Sequence, residues 1–461
     1  MNRNFGEDDT ICAISTPPGR SGIGIVRVSG KHALSMVSPL FRGPKPLSSV
    51  NSHTIHHGKV QDPAVNQVID EAIFLVMKGP RSYTGEDIVE IQSHGNPYIL
   101  KKIITLLLHQ GARLAGPGEF TRRAFLSGRI DLTQAEAVME LISSRSASQH
   151  RWAMSQLKGR LSEKIDHLRG QLISIIAQIE AAIDFSEEDL PLSSPEALAK
   201  RIDAVRQEIL ALLSGYETGK KHREGFTVVI VGRPNVGKSS LLNLFLQEDR
   251  AIVTPFPGTT RDLLQETIDL DGIPITLIDT AGDREASNAI EQEGVRRGTA
   301  AQKDADIALW LLDASESLSK DDLRLADRLR GVPMIIILNK IDLPRKLRMD
   351  RLAGDLLKIP ALNLSVKTGE GFEKLQESLR NRLLTFPEKE LHLVGLLRHK
   401  KALEVSEIRL AQALSSIEEG LSWEFPAIDL REALGALGEI TGETTVDEIL
   451  DEIFNQFCIG K

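Results

Sequence analysis

The stretch from Val228 to Ser240 has the composition of a phosphate-binding loop. An apolar, β-branched run, Val228–Val231, predicts a buried strand, and the residues from Gly232 to Ser239 match the pattern G-x-x-x-x-G-K-[ST]. Such a loop points backbone N–H groups at phosphate oxygens in front of a helix N-terminus. Lys238 would neutralise the outer phosphates, and the Ser239 hydroxyl would bind Mg²⁺. We therefore expect a nucleotide site rather than an ordinary glycine-rich turn.

Three further motifs follow predicted strands. In Asp279-Thr280-Ala281-Gly282 the aspartate can hold Mg²⁺ through water, and the glycine N–H can approach the outermost phosphate. In Asn339-Lys340-Ile341-Asp342 the carboxylate of Asp342 can accept two hydrogen bonds from guanine, whereas adenine lacks the N1–H donor. Lys340 would lie along the base, and Ser365-Val366-Lys367 would offer backbone donors to the guanine carbonyl. The ligand predicted by this combination is GTP rather than ATP.

A loop rich in proline and glycine, residues 254–262, separates the first two motifs. A mobile loop of this kind needs a threonine that reaches Mg²⁺ when a γ-phosphate is present, and Thr260 is the candidate. A surface turn is the structural alternative.

The nucleotide motifs lie in a region of alternating strands and helices, which predicts a mostly parallel sheet covered by helices. Apolar residues at helical spacing precede this region, from Leu161 to Ala182, and helical patterns return after Lys400. We expect one helical domain in two halves, with a globular domain inserted between them. In the first half, Thr133-Gln134-Ala135-Glu136 predicts a capping box, and in the second half Pro426 predicts a break between helices.

The predicted fold class is therefore multidomain, with α/β and all-α parts. The predicted segments are an N-terminal α+β domain (1–126), the first half of the helical domain (127–222), a Ras-like P-loop GTPase domain (223–386) and the second helical half (387–461).

Composition narrows the class of protein. The chain has 461 residues and a net charge of −8, so contacts with nucleic acid must come from local patches rather than a global basic field. Its two cysteines, Cys12 and Cys458, make no disulfide framework. The acidic, polar N-terminus lacks the regions of a signal peptide, and there is no apolar run of about 18 residues. These features predict a soluble cytoplasmic protein.

Motifs at both ends of the chain and in its middle carry a family resemblance. They are Thr16–Gly19, Tyr83–Asp87, Pro117–Thr121, Asp131–Ala137, Gly258–Asp262, Asn339–Asp342 and the final Phe457-Cys458-Ile459-Gly460-Lys461. With these motifs the chain resembles the MnmE (TrmE) family of tRNA-modification GTPases over essentially its whole length.

The resemblance implies an N-terminal folate-binding domain that forms a homodimer, and a heterotetramer with the FAD protein MnmG. It implies addition of an aminomethyl-type group to C5 of the tRNA wobble uridine, with the one-carbon unit supplied by 5-formyl- or methylene-tetrahydrofolate. The implied folate contacts are Arg27, Glu90, Arg129 (where the family usually has lysine) and Lys461. Taken alone, Arg27 and Glu90 would more ordinarily be solvated surface charges.

For the GTPase domain the resemblance implies association of two such domains and hydrolysis that depends on K⁺. The implied K⁺ ligands are Asn235, Thr254, Phe256 and Thr259. Mg²⁺ would be held by Ser239 and Thr260, and the catalytic residue would be Glu291. Asp283 departs from the family, which usually has an apolar residue there, and it is too short to replace the water-orienting glutamine of other GTPases.

The complete set of expected GTP contacts combines the motifs and the resemblance. It comprises Asn235, Val236, Gly237, Lys238, Ser239, Ser240, Thr254, Pro255, Phe256, Pro257, Gly258, Thr259, Thr260, Asp279, Thr280, Ala281, Gly282, Asn339, Lys340, Asp342, Ser365, Val366 and Lys367.

Several features have two interpretations. Cys458 is either a small buried residue or a thiol beside the folate and uridine chemistry. The basic clusters Arg122-Arg123, Lys220–Arg223 and Arg398–Lys401 either meet tRNA phosphates or, more ordinarily, form solvated faces.

Two other functions compete with the favoured one. One is a regulatory or ribosome-assembly GTPase that only binds RNA, which an RNA-binding appendage such as a KH module would favour. The other is a folate-dependent one-carbon enzyme that GTP merely gates.

Overall fold

The computed structural model describes residues 9–184, 194–248, 265–279, 305–329, 331–349, 356, 359–383 and 393–461. The chain divides into two compact units. The first contains Met1–Met139, Leu157–Ile202 and Ile408–Lys461, and the second contains Glu140–Gln156 and Asp203–Glu407.

The strands and helices of the described residues are numbered in chain order. The strands are β1 (Ile11–Ile14), β2 (Ser21–Ser29), β3 (Phe41–Arg42), β4 (Thr54–Asp62), β5 (Gln67–Met77), β6 (Ile88–Gly95), β7 (Arg113–Leu114), β8 (Phe226–Val231), β9 (Gln265–Leu270), β10 (Ile273–Asp279), β11 (Ile307–Asp313), β12 (Met334–Asn339) and β13 (Ala361–Asn363). The helices are α1 (Ala33–Val37), α2 (Pro97–His109), α3 (Glu119–Leu126), α4 (Leu132–Ser143), α5 (Ala147–Leu157), α6 (Arg160–Asp184), α7 (Pro195–Ser214), α8 (Tyr216–Glu224), α9 (Lys238–Glu248), α10 (Lys320–Arg328), α11 (Phe372–Leu383), α12 (Leu397–Glu418), α13 (Glu424–Thr441) and α14 (Asp447–Asn455).

A seven-stranded sheet in the order β3-β4-β5-β6-β2-β1-β7 organises the first unit. Its strands pair antiparallel except for β1 with β7. The alternation in β5 buries Ala72, Phe74 and Val76 on one face, where they join the same core as Ile103 and Leu107 of α2. The predicted N-terminal α+β fold is confirmed.

Helix α4 begins two residues earlier than the sequence predicted. Asp131, not Thr133, caps it: the Asp131 carboxylate accepts the Gln134 N–H at 2.9 Å, and the Gln134 side chain accepts the Asp131 N–H at 3.0 Å. Thr133 lies in the first turn and donates its hydroxyl to Asp131 at 2.6 Å. Aspartate and threonine are both good helix caps, and the capping-box spacing alone predicts Thr133 instead of Asp131.

The halves of the helical domain come together through α6 and α13. Leu168, Leu172 and Ile175 of α6 are fully buried, and at the helix surface Arg431 of α13 pairs with Glu180 of α6 at 2.5 Å. The prediction of a discontinuous helical domain is confirmed. The predicted break at Pro426 is wrong, because this proline lies in the first turn of α13, where the missing N–H has no intrahelical partner to lose.

A six-stranded sheet in the order β13-β12-β11-β8-β10-β9 organises the second unit. All its pairings are parallel except β9 with β10. Strands β8, β11 and β12 are buried along nearly their whole length, as expected for a sheet with both faces covered. The inserted P-loop domain is therefore confirmed. Among the described helices, none combines the length and the apolar character that a membrane crossing needs.

Candidate functional site

The phosphate loop connects the end of β8 to the start of α9. The Lys238 ammonium donates to the carbonyls of Gly232 at 2.8 Å and Arg233 at 3.0 Å, so it lies across the loop. Gly237 has a φ of +107°, and a Cβ atom there would come within 2.4 Å of the Asn339 amide nitrogen. The loop therefore has the shape that its glycines predicted, with a buried cation at its centre.

A hydroxyl and a carboxylate meet beside this loop. The parallel pairing of β8 and β10 sets Asp279 opposite Ile230, at the carboxyl ends of both strands. The Ser239 hydroxyl donates to Asp279 Oδ2 at 2.7 Å. Asp279 Oδ1 is buried without a hydrogen-bond partner in the part of the chain that the structure describes. A buried carboxylate oxygen in this position suits a hard cation, which takes oxygen ligands, or a water that the cation holds.

Asn339, at the end of β12, ties the phosphate loop to the loop after β13. Its amide nitrogen donates to the Val236 carbonyl at 2.7 Å, and its amide oxygen accepts the Val366 N–H at 3.0 Å. One buried side chain thus joins the segments expected to hold the phosphates and the base.

The residues predicted to select guanine follow this asparagine in the chain. Asp342 is exposed, and one of its carboxylate oxygens accepts the Ser365 hydroxyl at 2.7 Å. Lys340 has a left-handed backbone (φ 64°), and its ammonium pairs with Asp313 at 2.6 Å. Asp342 therefore presents an exposed carboxylate, and the Lys340 side chain, two residues earlier in the chain, is held by Asp313.

Two of the three predicted backbone donors near the base are already used. The Ser365 N–H donates to the Glu370 carbonyl at 2.9 Å, and the Val366 N–H donates to Asn339. Of the three predicted donors, the N–H of Lys367 is therefore the one left to donate to a guanine carbonyl.

Part of the predicted site lies outside the described residues. This part comprises Thr254, Pro255, Phe256, Pro257, Gly258, Thr259, Thr260, Thr280, Ala281, Gly282, Asp283 and Glu291. Asn235 is the described member of the K⁺ set; it is exposed, with a left-handed φ of 64°. Ser240 is exposed in the first turn of α9.

A second cluster lies on the N-terminal sheet. Arg27 of β2 and Glu90 of β6 are opposite each other in the ladder, and their side chains pair at 2.9 Å. Only 16% and 13% of the two side chains is exposed. The interpretation of these residues as solvated surface charges is therefore wrong. The Arg27 guanidinium also lies over the Phe120 ring, 5.6 Å from its centroid.

The C-terminal tail completes this cluster. Ile459 bridges to Pro117, and the Gly460 carbonyl accepts hydrogen bonds from Ser15 at 3.1 Å and Arg27 at 3.3 Å. Burial and the nearby Arg27 lower the pKa of Lys461, against the opposite effect of Glu90. Three of the four predicted folate contacts, Arg27, Glu90 and Lys461, are thus in one neighbourhood.

Arg129 reaches the same region indirectly. Its guanidinium donates to the Ser82 carbonyl at 3.1 Å. The adjacent Tyr83 donates to or accepts from Thr121 at 2.9 Å, and burial raises the pKa of Tyr83 although Thr121 and Arg27 oppose the shift. Arg129 therefore supports the chain beside the cluster through a main-chain contact.

The sequence missed three residues of these clusters. Phe120 and Tyr83 belong to motifs that carried the family resemblance, but no contact was assigned to either. Asp313 ends β11 as Asp279 ends β10, and an acidic residue at the end of a buried strand was the signal for it.

The two cysteines differ in environment. Cys458 is exposed, so its interpretation as a small buried residue is wrong. Cys12 is buried in β1, and burial raises its pKa to about 12, opposed by Arg113. Of the two, only Cys458 is accessible to a reagent.

The basic clusters are largely engaged within the protein. Arg122 pairs with Asp451 at 2.5 Å, Lys221 with Asp306 at 2.6 Å, and Arg223 with Glu140 at 2.7 Å. Arg123 bridges Asp9, Glu86 and Glu119. The side chains of these four cations are only 12–26% exposed, so they stabilise the fold and do not form solvated faces.

Comparisons with known proteins cover the whole chain. Residues 132–458 match the model described as the MnmE helical domain, and residues 10–129 match the model described as the N-terminus of the GTP-binding protein TrmE. Among curated proteins, the chain is similar to the tRNA modification GTPase MnmE of Syntrophus aciditrophicus, 47% identical over 98% of this chain and 99% of that one. It is also similar to the protein of the same name from Natranaerobius thermophilus, 44% identical over 98% of this chain and 100% of that one.

Solved structures give a weaker similarity. A crystal structure of a tyrosine-to-alanine variant of Aquifex aeolicus Era, bound to GDP·AlF4⁻, is 26% identical over 40% of this chain and 66% of that chain, with a TM-score of 0.27. At that score the similarity supports no structural argument.

Proposed function

This chain belongs to the MnmE family, and on that premise we propose that it hydrolyses GTP together with a flavoprotein of the MnmG type to modify tRNA. The modification is addition of an aminomethyl or carboxymethylaminomethyl group at C5 of the wobble uridine of certain tRNAs. Family membership makes the protein a GTP hydrolase that acts in tRNA modification. The partner, the position on the tRNA and the one-carbon donor are parts of the proposal.

One observation carries the GTPase half of the proposal. Lys238, Asp279 and Asp342 lie at or just after the carboxyl ends of β8, β10 and β12, the edge at which parallel sheets bind ligands. In the proposal the first binds phosphates, the second serves a metal ion and the third binds guanine. Binding of ATP would leave the Asp342 carboxylate without its two donors, which disfavours adenine.

Ser239 and Asp279 suit Mg²⁺, since the serine hydroxyl would be an oxygen ligand and the buried Asp279 Oδ1 would accept a hydrogen bond from a water on the ion. In the proposal Ser239 and Thr260 bind the ion and Asp279 holds it through water; when bound, it offsets charge on the β- and γ-phosphates. Glu291 is the proposed residue that orients the attacking water.

K⁺ dependence is the sharpest part of the GTPase proposal. Asn235, Thr254, Phe256 and Thr259 are the proposed ligands, and K⁺ would offset phosphate charge as two GTPase domains associate. We expect GTP hydrolysis in K⁺ to exceed that in Na⁺ by at least about tenfold, because removing one charge-stabilising group typically costs about 100-fold or more. Equal rates in the two salts, at matched ionic strength, would remove the cation-assisted mechanism.

The N-terminal cluster supports the folate half of the proposal. Arg27, Lys461 and Glu90 place two cations and a carboxylate together in a half-buried site, suited to a pterin edge and an acidic tail. Stoichiometric binding of 5-formyltetrahydrofolate in a calorimetric titration tests it. Absence of binding would remove the folate assignment without affecting the GTPase assignment.

The regulatory alternative makes a different prediction. An RNA-binding switch would hydrolyse GTP without altering tRNA. Incubation with the flavoprotein, tRNA, folate and GTP, followed by nucleoside analysis, separates the two, since only the proposed enzyme yields a modified uridine.

A further inference from the structure

Asp313 is the last residue of β11, and its side chain is only 3% exposed. Parallel pairing sets it opposite Asn339, the first residue of the guanine-selecting motif. The Ala314 N–H donates to the Asn339 carbonyl at 2.8 Å. Asp313 is therefore fixed to the motif by backbone as well as by side chain.

Each carboxylate oxygen of Asp313 has its own partner. Oδ1 accepts the Ser315 N–H at 2.9 Å and the Ser315 hydroxyl at 2.7 Å. Oδ2 pairs with the Lys340 ammonium at 2.6 Å. Burial raises the pKa of Asp313, but the hydrogen bonds from Lys340 and Ser315 outweigh it, and the net pKa is below the ordinary value. The carboxylate is thus charged, and Oδ2 is the oxygen that anchors the Lys340 ammonium.

Lys340 needs such an anchor. Its backbone has a left-handed φ of 64°, and its side chain is one-third exposed, so a long flexible stem begins from an unusual backbone geometry. A lysine side chain loses considerable rotamer entropy when it is held in one position. The Asp313 pairing provides that restraint before the nucleotide arrives.

We propose that Asp313 is a positioning residue for guanine recognition, which holds the Lys340 ammonium so that the lysine stem lies along the plane of the base. The inference rests on the proposed guanine site. Asp313 acts through Lys340 and does not contact the nucleotide itself.

The test uses the full-length protein with Asp313→Asn, which keeps the side-chain size but removes the charge. GTP and GDP affinities should fall by the same factor, about tenfold for loss of a charge-assisted bond. The KM for GTP should rise in step, and kcat at saturation should not change. Inorganic triphosphate, which has no base, should compete equally well against wild type and variant.

Ser315→Ala is the matched control, because it removes one hydrogen bond to Asp313 and leaves the Lys340 pairing intact. It should leave both nucleotide affinities within about twofold of wild type. Thermal unfolding without nucleotide distinguishes local from global damage in every variant.

A double-mutant cycle separates loss of the Asp313–Lys340 pairing from other effects of Asp313→Asn. Lys340→Gln removes the other partner, and the double variant should bind GTP no more weakly than the weaker single variant. Additive losses, unchanged GTP affinity in Asp313→Asn, or an equal loss for triphosphate would each overturn the inference. Failure of the wild type to prefer guanine nucleotides would instead overturn the proposed function.

Discussion

The nucleotide site and the N-terminal cluster are assembled in different ways. In the nucleotide site, the described residues extend from the strand ends of one mostly parallel sheet, and each lies in a short motif with fixed spacing. In the N-terminal cluster, Arg27 of β2 meets the Gly460 carbonyl, 433 residues further along the chain. The first site is built by the sheet that carries it, whereas the second is complete only when the tail docks.

This difference means that the sites should respond independently to mutation. The GTPase residues lie in the second compact unit and the Arg27 cluster lies in the first. A change that weakens one ligand should leave the binding of the other unchanged.

The largest effect is expected for Lys238→Ala. Truncating the partner of a buried charge costs about 2–5 kcal/mol, so GTP affinity should fall by between about 30-fold and several thousand-fold. Binding of 5-formyltetrahydrofolate should be unchanged when measured by titration in the same preparation. A parallel loss of folate binding would mean that the two sites are not independent.

Asp342→Asn should change base selectivity. Guanine donates two hydrogen bonds to the carboxylate, while xanthine has a carbonyl in place of the amine and matches the donor and acceptor of an amide. GTP affinity should fall by about 100-fold for loss of two charge-assisted bonds, and XTP should become the preferred ligand. Competition between the two nucleotides in wild type and variant measures the change; an unaltered preference for GTP would contradict the role of Asp342.

A smaller effect is expected for Lys461→Ala. Loss of one partly buried cation should weaken 5-formyltetrahydrofolate binding by about tenfold. GTP hydrolysis without tRNA should be unaffected. Lys461→Arg, which keeps the charge, is the control, and folate affinity equal to wild type in the alanine variant would remove the contact.

The smallest effect is a pH dependence of folate binding. Because burial and Arg27 lower the pKa of Lys461, its ammonium loses the proton at a lower pH than a surface lysine does. The protonated form attracts an anionic ligand, so affinity should be fully present below the lowered pKa and decline as pH rises through it. Lys461→Arg should give a flat profile in the same range, since arginine stays charged; a decline of equal size there would assign the titration elsewhere.

The same contrast explains what the sequence could predict. Asn339-Lys340-Ile341-Asp342 was recognisable because its chemistry depends on spacing within one short motif after a buried strand. The docking of Gly460 beside Arg27 cannot be predicted in this way, because no local pattern indicates where a C-terminal tail packs. The contacts of Lys461 are predicted by family resemblance alone. The sequence does not predict the role of Asp313, because its partner Lys340 lies in the loop after β12. The two residues come together only through the parallel register of β11 and β12.

The wrong predictions about the fold concern only local features, namely where two helices begin. The sequence predicts the α4 cap at Thr133 rather than at Asp131, because two good caps lie close together. It predicts a break at Pro426 because proline is incompatible with a helix interior, but the first turn, where Pro426 lies, tolerates it. The strand predicted at Val228–Val231 begins only two residues earlier in the structure, at Phe226, because continuous burial requires a continuous apolar run.

The narrow space between Gly237 and the Asn339 amide limits which substitutions position 237 can tolerate. An alanine at position 237 would push that amide away, and the amide also receives the Val366 N–H of the loop beside the base. A substitution in the phosphate loop, at position 237, would therefore alter how well the site distinguishes guanine from other purines. The two motifs, although far apart in the chain, should tolerate change only as a pair.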